Sequence, residues 1–459
     1  MLQSDKNELK KIVARGCFLD APEDLVGYSY DSQAIEAMPD AVCLPRTTEE
    51  VSQIMSYCYR HDIPVTPRGA ASGATGGAVP VRGGLVLSLQ QMNAIEDIDT
   101  RNFVATVQPG VFTADLHAAV EAHGLFYPPD PGSMKYSSIG GNIAENAGGM
   151  RAVKYGVTSA FVMGLEVVLP NGEVIHTGSK CIKDVVGFNI APLFIGSEGM
   201  LGIITKAYLR LVPLQKCRKT CRVAFSSLAD AVMTVTNILQ TGVVPLTLEF
   251  MDQVSIEAVG KSMELDVPDG TGGLLIIEAE GSEAQVSEDI RIIVDVCRRA
   301  TVLEVKIAET REEREFFWKA RRSIPPSLLR LKPRKANEDI VVPRSKISEM
   351  CEKIKKIAQK HDLTIACFGH AGDGNIHANV LFEDTEDQRA RASEAVADLF
   401  RAATSLGGRI SGEHGVGISK QQFISLNIDE ATLAFMKRFK KVFDPKGLLN
   451  PGKVFPDET

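Results

Sequence analysis

The sequence lacks any cysteine pattern of the kind that holds an iron–sulfur cluster or a disulfide framework. The chain has 459 residues and nine cysteines, none of them in a Cys-x-x-Cys pair, and the two closest are Cys217 and Cys221. Cluster ligands and the bridges of small secreted domains occur at characteristic short spacings. The odd number of cysteines and a polar amino-terminal stretch without a secretory leader favour a reducing compartment. We therefore expect a cytoplasmic protein.

Long apolar runs, basic tracts and the common nucleotide fingerprints are also missing. No apolar run approaches the roughly 20 residues of a spanning helix. The formal net charge is −7, and no clustered basic face of the kind that binds nucleic acid is visible. Neither GxGxxG nor GxxxxGK[ST] occurs, which argues against a Rossmann site or a P-loop. We expect no membrane span and no nucleic-acid partner.

The chain reads as an ordinary globular protein of two or more domains. Its hydrophobic content of 44% and charged content of 24% are typical of that class. Thr47 and Glu50 have the spacing of a capping box, and Val51, Ile54 and Cys58 then fall on one helical face. Asn171-Gly172 between alternating apolar residues predicts a hairpin. From about residue 216, helices and strands alternate in a way that indicates an α+β domain on an antiparallel sheet.

Two glycine-rich tracts dominate the first half: "PRGAASGATGGAVP" at 67–80 and "YPPDPGSMKYSSIGGNIAENAGGMRAVKYG" at 127–156. Glycine lets another molecule approach the backbone closely, and runs of exposed N–H groups form concave anion sites that suit a pyrophosphate. A pair of surface loops is the simpler alternative. Both tracts lie next to predicted strands and are rich in Ser, Thr and Asn, which favours a binding role.

These tracts, with "KYG" at 154–156 and "FIGSEGMLGIIT" at 194–205, resemble the flavin-binding domain of the vanillyl-alcohol oxidase/p-cresol methylhydroxylase superfamily. The resemblance implies an α+β fold: a two-subdomain FAD-binding domain plus an α+β cap domain with an antiparallel sheet. It implies that FAD contacts the first tract through its pyrophosphate, and residues 131–149 and 198–204 through its ring. The implied cofactor-binding residues are Pro67, Arg68, Gly69, Ala70, Ala71, Ser72, Gly73, Thr75, Pro131, Gly132, Ser133, Gly140, Gly141, Asn142, Ala144, Asn146, Glu198, Gly199, Ile204 and Asn450.

One position departs from the superfamily pattern. Several relatives carry a histidine in the first tract that bonds covalently to the flavin, and this sequence has Ser72 there. The resemblance therefore implies noncovalent FAD.

A second polar constellation lies near the carboxyl end. "LTIACFG" and "NIHANVLF" are strand-like runs joined by "HAGDG", which predicts a hairpin. Alternation places Asn375, His377 and Asn379 on one face, with Ile376, Ala378 and Val380 towards the core. His370 and His377 could then share one metal ion. Downstream, "GGRISGEHGVGISK" supplies Glu413 and His414, and two imidazoles with one carboxylate leave open positions on a divalent metal. The simpler alternative is a set of ordinary core or surface histidines.

"GHAGDGNIHANV" and "SGEHGVG" resemble the cap-domain motifs of the flavin-linked D-2-hydroxy acid dehydrogenases. That resemblance implies a divalent metal, zinc above all, on His370, His377 and Glu413. Asn379 would assist substrate binding and His414 would be the general base. "FFWKARRSIPPSL" carries the expected substrate arginine at Arg321, and Lys335 resembles a second carboxylate contact. A solvated basic face is the alternative for both cations.

The function implied is oxidation of a small D-2-hydroxy acid, D-lactate or glycolate foremost, to the 2-oxo acid with FAD as hydride acceptor. Electrons would pass to an electron-transfer flavoprotein, an iron–sulfur subunit or a quinone. D-2-hydroxyglutarate oxidation, an alcohol or aldose oxidase of the same superfamily, and a metal-dependent hydrolase remain alternatives. The oligomeric state, including a homo-oligomer, stays open. We expect a lead-in at 1–34, an FAD-binding domain at 35–215, a substrate and metal cap at 216–420, and a segment at 421–459 that returns to the FAD domain.

Overall fold

A computed structural model describes residues 1–33 and 35–456. Ala34 and residues 457–459, at the ends of the predicted lead-in and carboxyl-terminal segments, lie outside the described residues. The chain divides into two compact units. The first unit comprises residues 1–149, 156–214 and 413–459, and the second comprises residues 150–155 and 215–412.

Helices and strands are both distributed over the whole described chain. The helices are α1 (Gln3–Ile12), α2 (Pro22–Leu25), α3 (Thr48–Arg60), α4 (Thr113–Glu121), α5 (Ile139–Glu145), α6 (Ala152–Tyr155), α7 (Ala191–Phe194), α8 (Leu228–Gln240), α9 (Gln253–Gly260), α10 (Glu283–Cys297), α11 (Arg311–Arg322), α12 (Ile324–Leu328), α13 (Ile347–His361), α14 (Glu386–Ser405) and α15 (Glu430–Phe443). The strands are β1 (Phe18–Leu19), β2 (Ala41–Cys43), β3 (Val65–Arg68), β4 (Leu85–Ser88), β5 (Ile95–Asp99), β6 (Val104–Val107), β7 (Leu125–Phe126), β8 (Val162–Val168), β9 (Val174–Gly178), β10 (Ile203–Arg210), β11 (Val212–Pro213), β12 (Cys217–Phe225), β13 (Thr247–Asp252), β14 (Gly273–Gly281), β15 (Val302–Ile307), β16 (Arg334–Val341), β17 (Thr364–His370) and β18 (Asn375–Phe382).

The first unit contains two main sheets. A four-stranded sheet has the order β1-β2-β4-β3, in which β4 pairs parallel with both β2 and β3. A five-stranded antiparallel sheet has the order β5-β6-β10-β8-β9. Helix α3 packs its predicted apolar face into the core, and Thr47 accepts the Glu50 N–H as predicted. The hairpin predicted at Asn171-Gly172 joins β8 to β9.

The carboxyl-terminal stretch completes the first unit at its four-stranded sheet. Leu449 forms a parallel bridge to Val65 in β3, the edge strand of that sheet. The Val65 N–H donates to the Leu448 carbonyl at 2.8 Å, and the Asn450 N–H donates to the Val65 carbonyl at 2.7 Å. The edge of β3 is therefore covered by a segment that lies almost at the other end of the sequence.

The second unit is built on one seven-stranded antiparallel sheet. Its strand order is β15-β12-β14-β13-β17-β18-β16, which confirms the predicted antiparallel cap and the α+β class. Helices α9, α11 and α12 cover the face that carries Met251 and Phe368, and their buried side chains form one apolar cluster. Helices α8, α10, α13 and α14 also pack on the sheet.

The predicted hairpin between β17 and β18 is confirmed, with one difference. Asn375, His377 and Asn379 alternate along β18, yet they are as buried as the apolar residues between them, at 5%, 7% and 0% exposure. The His377 ring lies 5.2 Å from the Phe368 ring, which belongs to the same apolar cluster as the buried side chains of α9, α11 and α12. The sequence pattern had indicated only one core-facing side. Among the described residues, no helix combines the length and apolar character needed to cross a bilayer.

The caps of two helices predict opposite pH dependences of stability. Asp252 accepts the Ser255 N–H at 2.8 Å at the start of α9, and burial raises its pKa to about 6 from 3.8. The Asp252 carboxyl therefore binds its proton more tightly in the folded protein than in the unfolded chain. The stabilisation that comes from this proton is lost as the pH rises from about 4 to about 6. Relative to Asp252→Asn, wild type should lose up to about 3 kcal/mol of unfolding free energy over this range.

The exposed cap Asp429 is the matched control. The Thr432 N–H, which donates to its carboxylate, lowers the pKa of Asp429. Wild type should therefore gain stability over Asp429→Asn as the pH rises. Denaturant unfolding at a series of pH values measures both differences. If the unfolding free energies of Asp252→Asn and wild type changed with pH in the same way, the raised pKa of Asp252 would be contradicted.

Candidate active site

The two glycine-rich tracts meet in the first unit. The Ala70 N–H donates to Ser138 Oγ at 3.3 Å, and the same hydroxyl accepts the Gly141 N–H at the start of α5. A Cβ on Gly69 would lie 3.5 Å from the Gly141 nitrogen and would overlap Ser138 Oγ. Only a residue without a side chain permits this approach of the two backbones.

The 198–199 segment and Asn450 join the same cluster. The Glu198 N–H donates to the Ala144 carbonyl at 2.8 Å. Asn450 Nδ2 donates to the carbonyls of Glu198 and Gly77, at 2.7 and 3.2 Å. A Cβ on Gly199 would lie 2.8 Å from Pro67 Cγ. Four stretches that are distant in sequence are thus held together by hydrogen bonds to backbone atoms and by close contacts at glycines.

Strained backbone is concentrated among these residues. Ala71, Asn146, Glu198 and Asn450 have φ values of 53°, 54°, 51° and 46°. This left-handed region is costly for residues other than glycine, and such residues cluster at functional sites. All four were among the predicted cofactor-binding residues.

The cluster also has room and polar capacity for a ligand. Added Cβ atoms on Gly73 or Gly132 would meet no atom of the described chain within 4 Å. Asn450 is 1% exposed, yet its Oδ1 has no hydrogen-bond partner among the described residues. An orphaned buried acceptor costs free energy until a donor reaches it. These observations fit a bound group that supplies N–H or O–H donors, as FAD does.

Three of the predicted cofactor residues use their side chains within the protein. The Arg68 guanidinium donates to the Gly27 carbonyl at 3.0 Å and lies 5.6 Å from the Tyr28 ring. Asn142 Nδ2 donates to Thr113 Oγ1 at 2.7 Å. Ile204 is buried in β10. Any contact of Arg68 or Asn142 with a cofactor would therefore involve mainly the backbone.

The carboxyl groups of Glu145 and Glu198 lie next to Gly415, the residue that follows His414. Glu198 accepts the N–H groups of Val416 and Gly417 at 2.8 and 2.7 Å. Burial raises the pKa of Glu198 in spite of these bonds, and burial together with the Glu198 charge raises the pKa of Glu145 well above its ordinary value. Burial also lowers the pKa of Lys453 to about 8. Sequence analysis did not find Glu145 or Lys453 as part of this region.

Glu413 and His414 lie in the first unit, immediately after the last residue of the second. Thr75 Oγ1 donates to the His414 carbonyl at 3.4 Å. A Cβ on Gly148 would lie 3.1 Å from Glu413 Oε2. Both glycine-rich tracts therefore contact this predicted catalytic segment.

In the second unit, β17 and β18 bring His370 and His377 side by side. Their rings lie at 88° with centroids 5.3 Å apart, and a ring nitrogen of each lies within 4.8 Å of one on the other. Each side chain is buried. Two converging imidazoles are a donor set that zinc and similar divalent ions accept. The predicted proximity of this pair agrees with the structure of the hairpin.

A glutamate that the sequence analysis missed joins this pair to Arg321. Glu249 in β13 is fully buried, and its Oε1 lies 2.6 Å from His370 Nδ1. Its Oε2 accepts from Arg321 Nε at 2.8 Å and lies 2.7 Å from Nη2. Burial alone would raise the pKa of Glu249, but His370 and Arg321 outweigh it and the pKa is lowered. One signal was available, because Glu249 is the single acidic residue inside the apolar run "PLTLEFM".

The other predicted substrate residues lie on the same sheet. Asn379 is fully buried, and its Oδ1 has no hydrogen-bond partner among the described residues. Asn337 Oδ1, across the β16–β18 pair, is likewise unpartnered within the described chain. Lys335 Nζ donates to the Pro325 carbonyl at 3.1 Å, and burial lowers its pKa. Two orphaned acceptors side by side fit a ligand that carries hydroxyl groups.

Asp339, also missed from the sequence, fixes the end of the second unit. Its carboxylate accepts from the Gly412 N–H at 2.9 Å and from Ser411 Oγ at 3.0 Å. Asn375 Nδ2 donates to its other oxygen. Asp339 thereby sets the course of the chain immediately before Glu413.

The fold and these clusters define an FAD-dependent oxidoreductase. A model of the FAD binding domain matches residues 39–178, and a model of the C-terminal domain of FAD linked oxidases matches residues 214–454. The chain therefore belongs to the FAD-linked oxidase family, as the sequence motifs predicted.

Named relatives span almost the whole chain. It is 44% identical over 456 residues to "Glycolate oxidase subunit GlcD" of Bacillus subtilis, covering 99% of this chain and 97% of the relative. It is 36% identical over 438 residues to a D-lactate dehydrogenase of Anaerostipes hadrus, covering 93% and 92%. The solved structure of p-cresol methylhydroxylase with substrate bound has a TM-score of 0.82 at 19% identity, covering 99% and 97%. That likeness confirms the predicted fold.

Removal of one hydroxyl should loosen the contact between the glycine-rich tracts. Ser138→Ala deletes the cap of α5 and the bond to Ala70, and should cost about 1 kcal/mol of unfolding free energy. It should also increase flavin loss during gel filtration. Ser227→Ala removes the corresponding cap of α8 in the second unit. That control should lower stability similarly while flavin content stays at the wild-type level, and equal flavin loss from both variants would contradict the prediction.

Proposed function

We propose that this protein oxidises a small D-2-hydroxy acid to the 2-oxo acid, with D-lactate or glycolate as the substrate. The observation that carries the proposal is the buried group of Arg321, His370 and His377 around Glu249, which offers a carboxylate-binding cation beside a metal-binding pair. The names of the relatives support the same substrate class.

FAD is proposed to bind noncovalently at the converged glycine-rich tracts. The support is the strained backbone of Ala71, Asn146 and Glu198, the open space beside Gly73, and the orphaned oxygen of Asn450. Ser72 offers no nucleophile of the imidazole type for a covalent link. Heat or acid denaturation should therefore release the flavin from the polypeptide.

A divalent metal, zinc foremost, is proposed on His370, His377 and Glu413. Glu249 engages His370 Nδ1, so a metal would have to bind through Nε2. Asp339 holds Gly412, the residue before Glu413. When bound, the metal would supply Lewis-acid polarisation of the substrate oxygens, and FAD would supply the hydride acceptor.

Arg321, Lys335 and Asn379 are proposed to bind the substrate. Glu249 engages Nε and Nη2 of a guanidinium that carries five N–H donors in a fixed fork, so the group can also bind a carboxylate. The Phe368 ring, 4.6 Å from the guanidinium carbon, supports its other side. The Asn379 oxygen is an acceptor suited to a substrate hydroxyl.

His414 is proposed as the general base. Its side chain is 22% exposed, and Thr75 holds its backbone. An imidazole accepts the hydroxyl proton effectively near neutral pH. After removal of that proton, the electron pair of the O–H bond stays on the oxygen and forms the second carbon–oxygen bond of the carbonyl. The hydrogen on carbon 2 departs with the two electrons of its own bond.

A separate electron acceptor is proposed, either an electron-transfer flavoprotein, an iron–sulfur subunit or a quinone. The cysteines of the described chain are all free, and none forms a Cys-x-x-Cys pair. The relative from Bacillus subtilis is named as a subunit. Both facts support transfer to a partner.

Anaerobic mixing with candidate acids tests the function directly. Glycolate, D-lactate, D-2-hydroxyglutarate and D-malate, with the L forms, should be compared by loss of flavin absorbance. Rapid bleaching by D-lactate or glycolate and slow bleaching by L-lactate is the expected result. Bleaching only by alcohols or aldoses, or a purified protein without a flavin spectrum, would exclude the proposal.

Removal of the proposed metal should leave the proposed FAD bound, so the contributions of the two groups to activity can be told apart. Dialysis against a chelator should abolish turnover while the flavin spectrum remains, because the proposed metal and FAD residues are different. Addition of zinc should restore activity. Full activity in protein shown by elemental analysis to be metal-free would remove the metal from the mechanism.

Substitution of the proposed base gives a further prediction. His414→Ala should lower kcat by roughly 100-fold or more, the range expected for loss of a general base, with flavin content unchanged. The exposed His123, whose Nδ1 lies 3.0 Å from the Ala119 carbonyl of α4, is the matched control. His123→Ala should retain wild-type kcat. Unchanged turnover of His414→Ala would remove this residue as the base.

A further inference from the structure

We propose that Glu249 is a positioning residue that orients His370 for the metal and Arg321 for the substrate carboxylate at the same time. The inference rests on the proposed function and extends it, because it makes metal binding and substrate binding depend on one buried side chain. The sequence separates the partners widely, with Arg321 72 and His370 121 residues from Glu249.

The geometry divides the two oxygens of Glu249 between the two partners. Glu249 and His370 face each other across the β13–β17 pair, which places the carboxylate beside the ring. Oε1 lies 2.6 Å from His370 Nδ1, and Oε2 lies 2.8 and 2.7 Å from Arg321 Nε and Nη2. Neither partner can rotate without breaking a charge-assisted bond to the buried carboxylate.

The contact with Glu249 Oε1 selects one tautomer of the His370 ring. A carboxylate can only accept, so Nδ1 must carry the hydrogen. The lone pair of a neutral ring is then at Nε2, the nitrogen proposed to bind the metal. Carboxylate partners fix metal-binding histidines in this way, and their loss commonly lowers metal affinity 10- to 100-fold.

The contact with Oε2 fixes the plane of the Arg321 guanidinium. Glu249 holds one edge, and the Phe368 ring lies 4.6 Å from the guanidinium carbon. The remaining donors of the fork are therefore presented in one direction. A glutamine in place of Glu249 cannot serve both partners, because its amide has one acceptor oxygen and its nitrogen only donates.

The same sheet contains a matched control. Glu278 in β14 is also buried, and it accepts from Trp318 Nε1 at 3.1 Å and from Thr220 Oγ1 at 2.5 Å. Neither of those partners belongs to the proposed site. Glu278→Gln therefore reports what a buried glutamate contributes to folding alone.

The test compares Glu249→Gln and Glu278→Gln in the flavin-loaded protein. Zinc affinity is measured by competition with a chromophoric chelator, and carboxylate affinity by titration of the metal-free, flavin-loaded protein with oxalate, followed by flavin absorbance. Glu249→Gln should lose about 10- to 100-fold in zinc affinity and should also bind oxalate more weakly. Glu278→Gln should match wild type in both. Wild-type zinc affinity in Glu249→Gln, or equal losses in both variants, would overturn the inference.

A second measurement needs no substitution. Nitrogen-15 histidine spectra of the metal-free wild type at alkaline pH, with His370 assigned from the spectrum of His370→Ala, report which nitrogen carries the hydrogen. The Nδ1–H form is expected, and the Nε2–H form would overturn the inference. Wild type that binds no zinc while showing Nδ1–H on His370 would count against the proposed metal alone, so the two failures are distinguishable.

Discussion

A carboxylate removed from water must find an ion-pair or hydrogen-bond partner inside the protein, and the second unit is organised by that constraint. Three glutamates, Glu249, Glu278 and Glu280, are buried on one face of its central sheet. Glu280 meets Arg218 and Lys154, and Glu278 meets Trp318. Each pairing joins strands or helices far apart in sequence. Unpaired, any of these carboxylates would cost several kcal/mol.

The first unit has a different constraint, because four stretches of chain that are distant in sequence approach one another closely around glycines. Glycines allow the tracts to touch, and residues such as Ala71 and Asn450 accept strained angles to remain there. Strain of this kind persists only where surrounding structure enforces it. The buried contacts of Glu198 and Asn450 provide that enforcement.

Local signals in the sequence predicted most of the elements but few of the polar pairings. The cap at Thr47, the turn at Gly172 and the hairpin that carries His370 depend on neighbouring residues, so their patterns are visible. Glu249 and Asp339 were missed because their partners lie tens of residues away and are set by strand order. Short-range periodicity carries no information on that order. The roles proposed for the residues of the candidate site come from the motifs through family resemblance.

The return of residues 448–450 to β3 has a consequence during synthesis. The edge of that strand is covered by the last stretch of the second half, which leaves the ribosome hundreds of residues after Val65. Until then the nascent chain exposes an unpaired strand edge, a surface prone to wrong pairing. The four-stranded sheet of the first unit is therefore complete only after nearly the whole chain has been synthesised.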